Sequence, residues 1–460
     1  MAGIGFVLRR LYRQDNLSGL FKLCLHSVVA STGPWLFTVL ALGTIAFLGK
    51  NIVPLEILTN FRAILIYNFS FSLIISGPIF MVATRYLADC IHRRDVSNAP
   101  GMLLGSLTLL WFCELILASI FYFYFIDLSF PMALSAVVNF LLISAVWLFS
   151  IFISALKNYQ LISRSFLAGM VVAVCASTLL APQYGEIGLI NGFSLGICII
   201  IGLLAANILA EYPFSIKEPF AFISYFRKYW EIALSGFICN LAIWVDKWIM
   251  WFSPEAITLK SGLIIYPDYD SAMFVAYLTV VPAMAIFLFN IETNFFEKYV
   301  RFYNDIENQS SFAKIRRNHH ALMRSIVSNS GYLFLLQGII AIIGVLMAPQ
   351  IISLLSGNYI QIGMLRYGLL GALFQVLTVL LLILLSYFDN RKACLFIQFA
   401  FLGMNSIFTL VAMNAGFKYY GYGYFLASFL TFLISAMITV KYVAKLPYHT
   451  FITTNTSVTS

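Results

Sequence analysis

Charge is what this sequence has least of. Asp, Glu, Lys and Arg make up only 10% of its 460 residues, too few to coat a water-soluble chain of this size. Other absences narrow the chemistry. No G-x-x-x-x-G-K-[ST] loop occurs to cradle a nucleotide's phosphates, which excludes nucleotide hydrolysis by that route. The seven cysteines (24, 90, 113, 175, 198, 239 and 394) are scattered, mostly within apolar runs, with no C-x-x-C; neither disulfides nor a metal site are expected. No Ser-His-Asp or metal-ligand grouping stands out, so no catalytic residue and no cofactor are expected. There is also no charged leader followed by a short apolar run and a cleavage site. The opening "MAGIGFVLRRLYRQ" is instead amphipathic, with Phe6, Val7 and Leu11 against Arg9, Arg10 and Arg13, and is expected to be retained.

What is present is hydrophobic bulk: 61% of the residues are apolar and the mean hydropathy is +0.90. The expected fold class is an all-α polytopic membrane protein. Runs long enough for a bilayer core of about twenty residues lie near 25–48, 60–84, 102–126, 131–155, 163–181 and 187–210, then near 229–252, 271–292, 326–347, 364–387, 391–413 and 420–442. These twelve spans fall into two groups of six. With both termini on one side, that side collects 22 of the 28 lysines and arginines against five on the other, Lys247 lying within a span. Cytoplasmic loops retain Lys and Arg, so both termini are expected to be cytoplasmic. The net charge of +9 is read as this topology signal and not as a nucleic-acid surface.

The expected organisation is an amphipathic cytoplasmic segment 1–24, a six-helix bundle 25–210, a linker 211–228 with two prolines, a second bundle 229–442, and a cytoplasmic tail 443–460. Two six-helix halves with a substrate path between them are a common transporter architecture. Within the second half, the stretch 293–325 mixes aromatic and basic residues. It reads either as a surface helix able to dock a cytosolic partner or as a solvated topology loop. His319 and His320 are neighbours there, and adjacent positions on a helix do not face one another, so a metal pair is not expected.

Five features carry the functional reading. In "NLAIWVDKWIMWF", Asp246 and Lys247 sit about 9 Å inside the seventh span, where an unpaired charge costs several kcal/mol. Neighbouring positions diverge by about 100°, so the two are expected not to pair ideally with each other: one faces a cavity while the other snorkels. The alternative is that Lys247 reaches the headgroups among Trp244, Trp248 and Trp251 as belt aromatics, with Asp246 merely accompanying it. Glu114, deep in the third span, is either a proton-coupling carboxylate or a neutral acid in an interhelical hydrogen bond. The pairs Gly33-Pro34 and Gly77-Pro78 are expected to break the first and second spans, marking moving helices or static kinks. The 16% aromatic content suits sugar stacking but is explained more economically by lipid-facing belts. Asp268-Tyr269-Asp270 matches a pattern seen in metal-dependent glycosyltransferases, yet the topology places it outside, where nucleotide-sugars are absent; Asp268 and Asp270 are read instead as a negatively charged exit loop.

The opening "MAGIGFVLRRL", the segment "ASTGPWLF", the seventh-span stretch and the loop "IIYPDYDSAMFVAYLTVVPA" together resemble the PelG family, inner-membrane transporters of Pel exopolysaccharide systems, along nearly the whole chain. The resemblance implies a multidrug/oligosaccharidyl-lipid/polysaccharide (MOP) flippase-like fold, two six-helix bundles around a central cavity that opens alternately to either side. It implies that the first and seventh helices line that cavity, placing Gly33, Pro34, Trp35, Asp246 and Lys247 on the path, with Trp244 beside them and Glu114 as a further polar candidate. The implied substrate is a glycan rich in N-acetylgalactosamine that builds biofilm matrix. The implied partners are a cytosolic glycosyltransferase and an inner-membrane cyclic-di-GMP receptor complex. A flippase for a lipid-linked precursor, a membrane-embedded glycosyltransferase and a non-transporting scaffold remain as alternatives.

Overall fold

The computed structural model describes residues 17–155, 159–355 and 357–453; most of the expected amphipathic segment 1–24 and the end of the tail lie outside the described residues. Helix follows helix: α1 (Leu17–Gly49), α2 (Leu55–His92), α3 (Ala99–Ile120), α4 (Phe130–Ala155), α5 (Tyr159–Glu211), the short α6 (Ser224–Lys228) and α7 (Trp230–Met250). A two-stranded antiparallel hairpin follows, β1 (Ile257–Thr258) with β2 (Ile264–Ile265). The chain continues through α8 (Pro267–Leu278), α9 (Val281–Asn290), α10 (Phe296–Glu307), α11 (Phe312–Leu354), α12 (Gln361–Tyr387), α13 (Arg391–Ala415) and α14 (Tyr422–Ala444).

Among the described residues, 11 helical stretches are long and apolar enough to cross a membrane. One of them, α5, has 53 residues and turns at Gly185, where φ is 56° and ψ is −126°, a left-handed backbone that favours glycine. Its two arms lie against each other. A Cβ on Gly192 would meet the Ser177 nitrogen at 2.3 Å, one on Gly196 would meet the Ala173 Cβ at 2.4 Å, and the Ser177 hydroxyl donates to the Leu189 carbonyl at 3.0 Å. The helix is therefore a hairpin of two spans, matching those read at 163–181 and 187–210, which makes about twelve crossings.

Among the described residues two compact units result, Thr32–Tyr266 and 267–453 together with 17–31. The first reaches beyond the expected boundary at 211–228 and takes in α7. The cause is a close crossing of α7 with α2: a Cβ on Gly77 would lie 2.6 Å from the Gly236 carbonyl oxygen, and one on Gly236 would lie 2.5 Å from that of Gly77. Glycines that let two backbones touch are a recurrent device of membrane helix pairs, where dispersion and not hydrophobicity drives association. The expected linker is also pinned. Lys217 and Pro219 lay their carbonyls against Gly101 and Gly105 of α3, where added Cβ atoms would stand 1.9 and 1.7 Å away.

The Gly-Pro pairs are a correction. Neither Gly33-Pro34 nor Gly77-Pro78 breaks its helix: Pro34 lies inside α1 and Pro78 inside α2, and both helices continue through them. Each proline removes one backbone donor, which a long helix tolerates when neighbours supply polar contacts. Close to these positions the Thr38 hydroxyl donates to the Pro34 carbonyl at 2.9 Å and the Asn240 amide of α7 donates to the Leu73 carbonyl of α2 at 2.8 Å; neither bond reaches the carbonyl that the proline frees, four residues before it.

In the second unit α12 is the central element, with Gly344 of α11, Met273 and Ala276 of α8 and Tyr424 of α14 close against it. The span read at 271–292 is two helices. Pro282 cannot donate to the Leu278 carbonyl, and the chain tightens there through Thr279 N to Ala276 O at 3.2 Å and Val280 N to Tyr277 O at 3.1 Å. A π-helical turn at Ile291–Phe295 then leads into α10. Far from forming a loose loop, α10 packs on α11 through the buried Phe302 and Ile315. At their junction Asp305 accepts from Lys314 at 2.8 Å and from the Asn318 amide, and the Lys314 ammonium holds its carboxyl below the usual carboxylate range.

Replacing Gly77 or Gly236 with Ala is expected to cost about 1–3 kcal/mol by overpacking, seen as a lowered melting temperature in detergent. Gly338→Ala, where nothing lies within 4 Å of the added Cβ, should be neutral or slightly stabilising. A lowered folded-state pKa at Asp305 stabilises above its unfolded value of about 4 and is lost only as pH falls through the folded one. Limited trypsin cleavage at Arg316 and Arg317, divided by the rate on an unfolded reference peptide at the same pH, should thus be unchanged between pH 5 and 8, and Asp305→Asn should accelerate it throughout that range.

Candidate functional site

The buried face of α7 runs Ile238, Ala242, Asp246, Met250 at four-residue spacing, so a carboxylate occupies a position that the helical period assigns to the interior. Asp246 is fully buried and Lys247 is 7% exposed. The expectation that they face apart is corrected. The Lys247 ammonium stands 3.0 and 3.1 Å from the two Asp246 carboxylate oxygens and 3.0 Å from the Ile243 carbonyl. The divergence of adjacent positions applies to Cβ atoms. A four-carbon stem that leans toward the helix N-terminus, as helical side chains do, brings Nζ back over the preceding turn and across to its neighbour. Lys247 therefore curls inward instead of snorkelling.

The tryptophans beside the pair do not form a loose belt. Trp248 stacks on Phe71 at 4.5 Å and Trp251 on Tyr67 at 4.6 Å, joining α7 to α2 ring by ring. The Tyr67 hydroxyl donates to the Ile264 carbonyl of β2 at 2.8 Å, so the hairpin that follows α7 is tied to the same helix. Trp244 is half-buried, and Gly33 is buried on α1 with Trp35 exposed two positions on.

A second polar element of this unit was not singled out from the sequence. The Asn68 amide donates to Asn139 Oδ1 at 2.9 Å and to the Ala136 carbonyl at 3.1 Å, the Tyr122 hydroxyl donates to Asn68 Oδ1 at 2.7 Å, and the Asn139 amide donates to the Ser194 hydroxyl at 2.9 Å. These groups join α2, the π-helical turn after α3 (Phe121–Phe125), α4 and α5 within an apolar interior. The signal was available: asparagines inside "IYNFSFS" and "VVNFLL" are polar groups at membrane depth, which commonly hydrogen-bond across helices. Nearby, Asn60 donates to Glu186, just past the Gly185 turn, and accepts from the Ser261 hydroxyl at 2.6 Å.

Glu114 lies elsewhere in the unit, on the inner face of α3. It is fully buried and, among the described residues, no donor is in place for either carboxyl oxygen. Ser144 of α4 is close enough to interact, but its hydroxyl donates to the Leu141 carbonyl at 2.8 Å. An ionised carboxylate in that setting would cost several kcal/mol. In the other unit, Asp268 is occupied at the start of α8, accepting from the Asn358 amide at 2.8 Å and the Gln361 amide at 2.7 Å. It fastens α8 to the turn before α12, and Asp270 is half-buried beside it. The histidines also separate: His319 is buried with Nε2 2.8 Å from the Val443 carbonyl, whereas His320 is exposed. Among the described residues no group of three His, Cys, Asp or Glu could hold a metal ion.

The described residues of this unit place hydrogen-bond donors and acceptors within an apolar interior. Solved structures share the fold. A MATE transporter in complex with MaD5 superposes with a TM-score of 0.63 at 13% identity, covering 92% of this chain and 95% of that one. A MOP superfamily transporter from Pyrococcus furiosus gives 0.60 at 13% identity over 92% and 97%. The Vibrio cholerae MATE transporter VcmN gives 0.61 at 11% identity over 95% and 98%. No curated protein matches the chain significantly. The family model described as "PelG: Putative exopolysaccharide Exporter (EPS-E)" matches residues 1–451. The chain, a multi-pass membrane protein with the MOP transporter fold, belongs to the PelG exopolysaccharide exporter family.

Proposed function

We propose that this protein carries the N-acetylgalactosamine-rich Pel glycan across the bacterial inner membrane for biofilm matrix formation, without making or breaking bonds in it. In this reading both termini are cytoplasmic, and the protein works beside a cytosolic glycosyltransferase and an inner-membrane cyclic-di-GMP receptor complex. The observation that carries it is the exporter-family match over residues 1–451. The buried pair of Asp246 and Lys247 supports it. Two opposite charges held at 3.0 Å offer a neutral glycan both a donor and an acceptor, with no net charge.

The function is tested on lipid extracts from cells that lack the protein but retain the synthesis machinery. With nucleotide-sugar available, no lipid-linked galactosaminyl oligosaccharide should accumulate; its appearance would make the protein a flippase of discrete units. The pair is tested separately. Asp246→Asn alone breaks a buried ion pair at a cost of about 3–5 kcal/mol, and should lower both membrane abundance and export. The double variant Asp246→Asn with Lys247→Met should recover abundance on immunoblots and still fail to export. Full export by an abundant double variant would reduce the pair to packing.

A further inference from the structure

The first thirteen residues of α11 present one exposed face rich in basic residues. Its 43 residues rise about 65 Å, roughly twice the hydrocarbon thickness, so the helix must leave the bilayer. The stretch that does so is polar on one side and anchored on the other. Ile315, Asn318, His319 and Leu322 are buried, held by the Asp305 junction and the His319 contact to Val443. Phe312, Arg316, Arg317, His320 and Arg324 are exposed on the opposite side together with Ala313 and Ala321. No carboxylate of the described residues pairs with Arg316, Arg317 or Arg324; the described ion pairs of this region are Lys314 with Asp305 and Arg301 with Glu297.

We infer that this face docks an acidic amphipathic helix of a cytosolic protein. The inference rests on the cytoplasmic orientation proposed above. Charge complementarity sets the sign: the exposed guanidinium groups repeat along one helix face, so the matching carboxylates must repeat at three- and four-residue spacing. The two alanines, eight residues apart, leave space for a backbone to approach, and Phe312, 68% exposed, supplies an aromatic anchor at the outer end. Depth favours protein over lipid headgroups. Arg316 precedes the apolar run that begins near Ile326 by ten residues, about 15 Å along the axis, whereas the headgroup layer is only about 5–8 Å deep. Arg324 alone lies within it.

The test uses the full chain in its host, with a photoreactive amino acid at Ala313 or Ala321 and peptide mapping of the adducts. The expected product joins either position to one protein segment carrying Asp or Glu at three- and four-residue spacing. Arg316→Glu with Arg317→Glu should lower its yield about tenfold or more, and changing the mapped acidic residues to Lys should restore it. Adducts to lipid only, adducts to a segment without that acidic pattern, yields indifferent to the charge reversal, or no adduct at all would overturn the inference. Ala321→Cys, probed with an impermeant maleimide in oriented vesicles, separates its failure from that of the topology. Labelling from the cytoplasmic face is expected. Labelling only from the opposite face overturns the orientation itself.

Discussion

Hydrocarbon offers a buried polar group no partner, and this protein meets that constraint within its own helices. Lys247 answers Asp246 and the Ile243 carbonyl. Asn68, Asn139, Tyr122 and Ser194 answer one another. The contacts that cross between helices require fixed separations, and where α2 meets α7 glycines set one of them. Where Gly77 meets Gly236, the α2 and α7 backbones approach closely enough for the Asn240 amide to reach a carbonyl of the neighbouring helix. Ring stacking of Phe71 on Trp248 and of Tyr67 on Trp251 extends the same contact along the helices.

A transporter needs polar groups that a substrate can engage, without leaving them uncompensated when it is absent. In the role proposed above, an adjacent Asp-Lys pair meets both demands, since each charge has a counter-ion on the same helix. Glu114 solves a different problem. With no donor in place among the described residues, it is a group for which charge is expensive, and its position between α3 and α4 separates it from the α2–α7 crossing. Asp268 serves structure, bridging the α8 start to residues 358 and 361.

The spans were legible because composition alone reports them: a run of about twenty apolar residues matches the thickness of a bilayer core and is too apolar to face water along its length. The hairpin in α5 followed from its two separate runs, and only the positive φ at Gly185 shows how the turn is made. The Gly-Pro pairs were legible as signals and misread in meaning. Proline's missing donor suggests a break, but a helix flanked by others continues when neighbouring groups supply contacts, and the value of Gly77 lies in the crossing and not in flexibility. The linker read at 211–228 carried prolines and charge, yet Gly101 and Gly105 hold it against α3, a contact more than a hundred residues away in sequence and invisible to any local pattern.

By itself the sequence determined that this chain lives in a membrane, roughly where it crosses, and that Asp246 and Lys247 lie within an apolar run. Those properties are sums over local composition, which water and lipid read one segment at a time. Only the tertiary structure decided that the two charges pair with each other, that α7 packs with the N-terminal helices, and that polar side chains of separate spans form one network. Such facts depend on which backbones touch and at what distance. That distance is set by the absence of a side chain at a glycine, and its effect is visible only when the partner helix is in place.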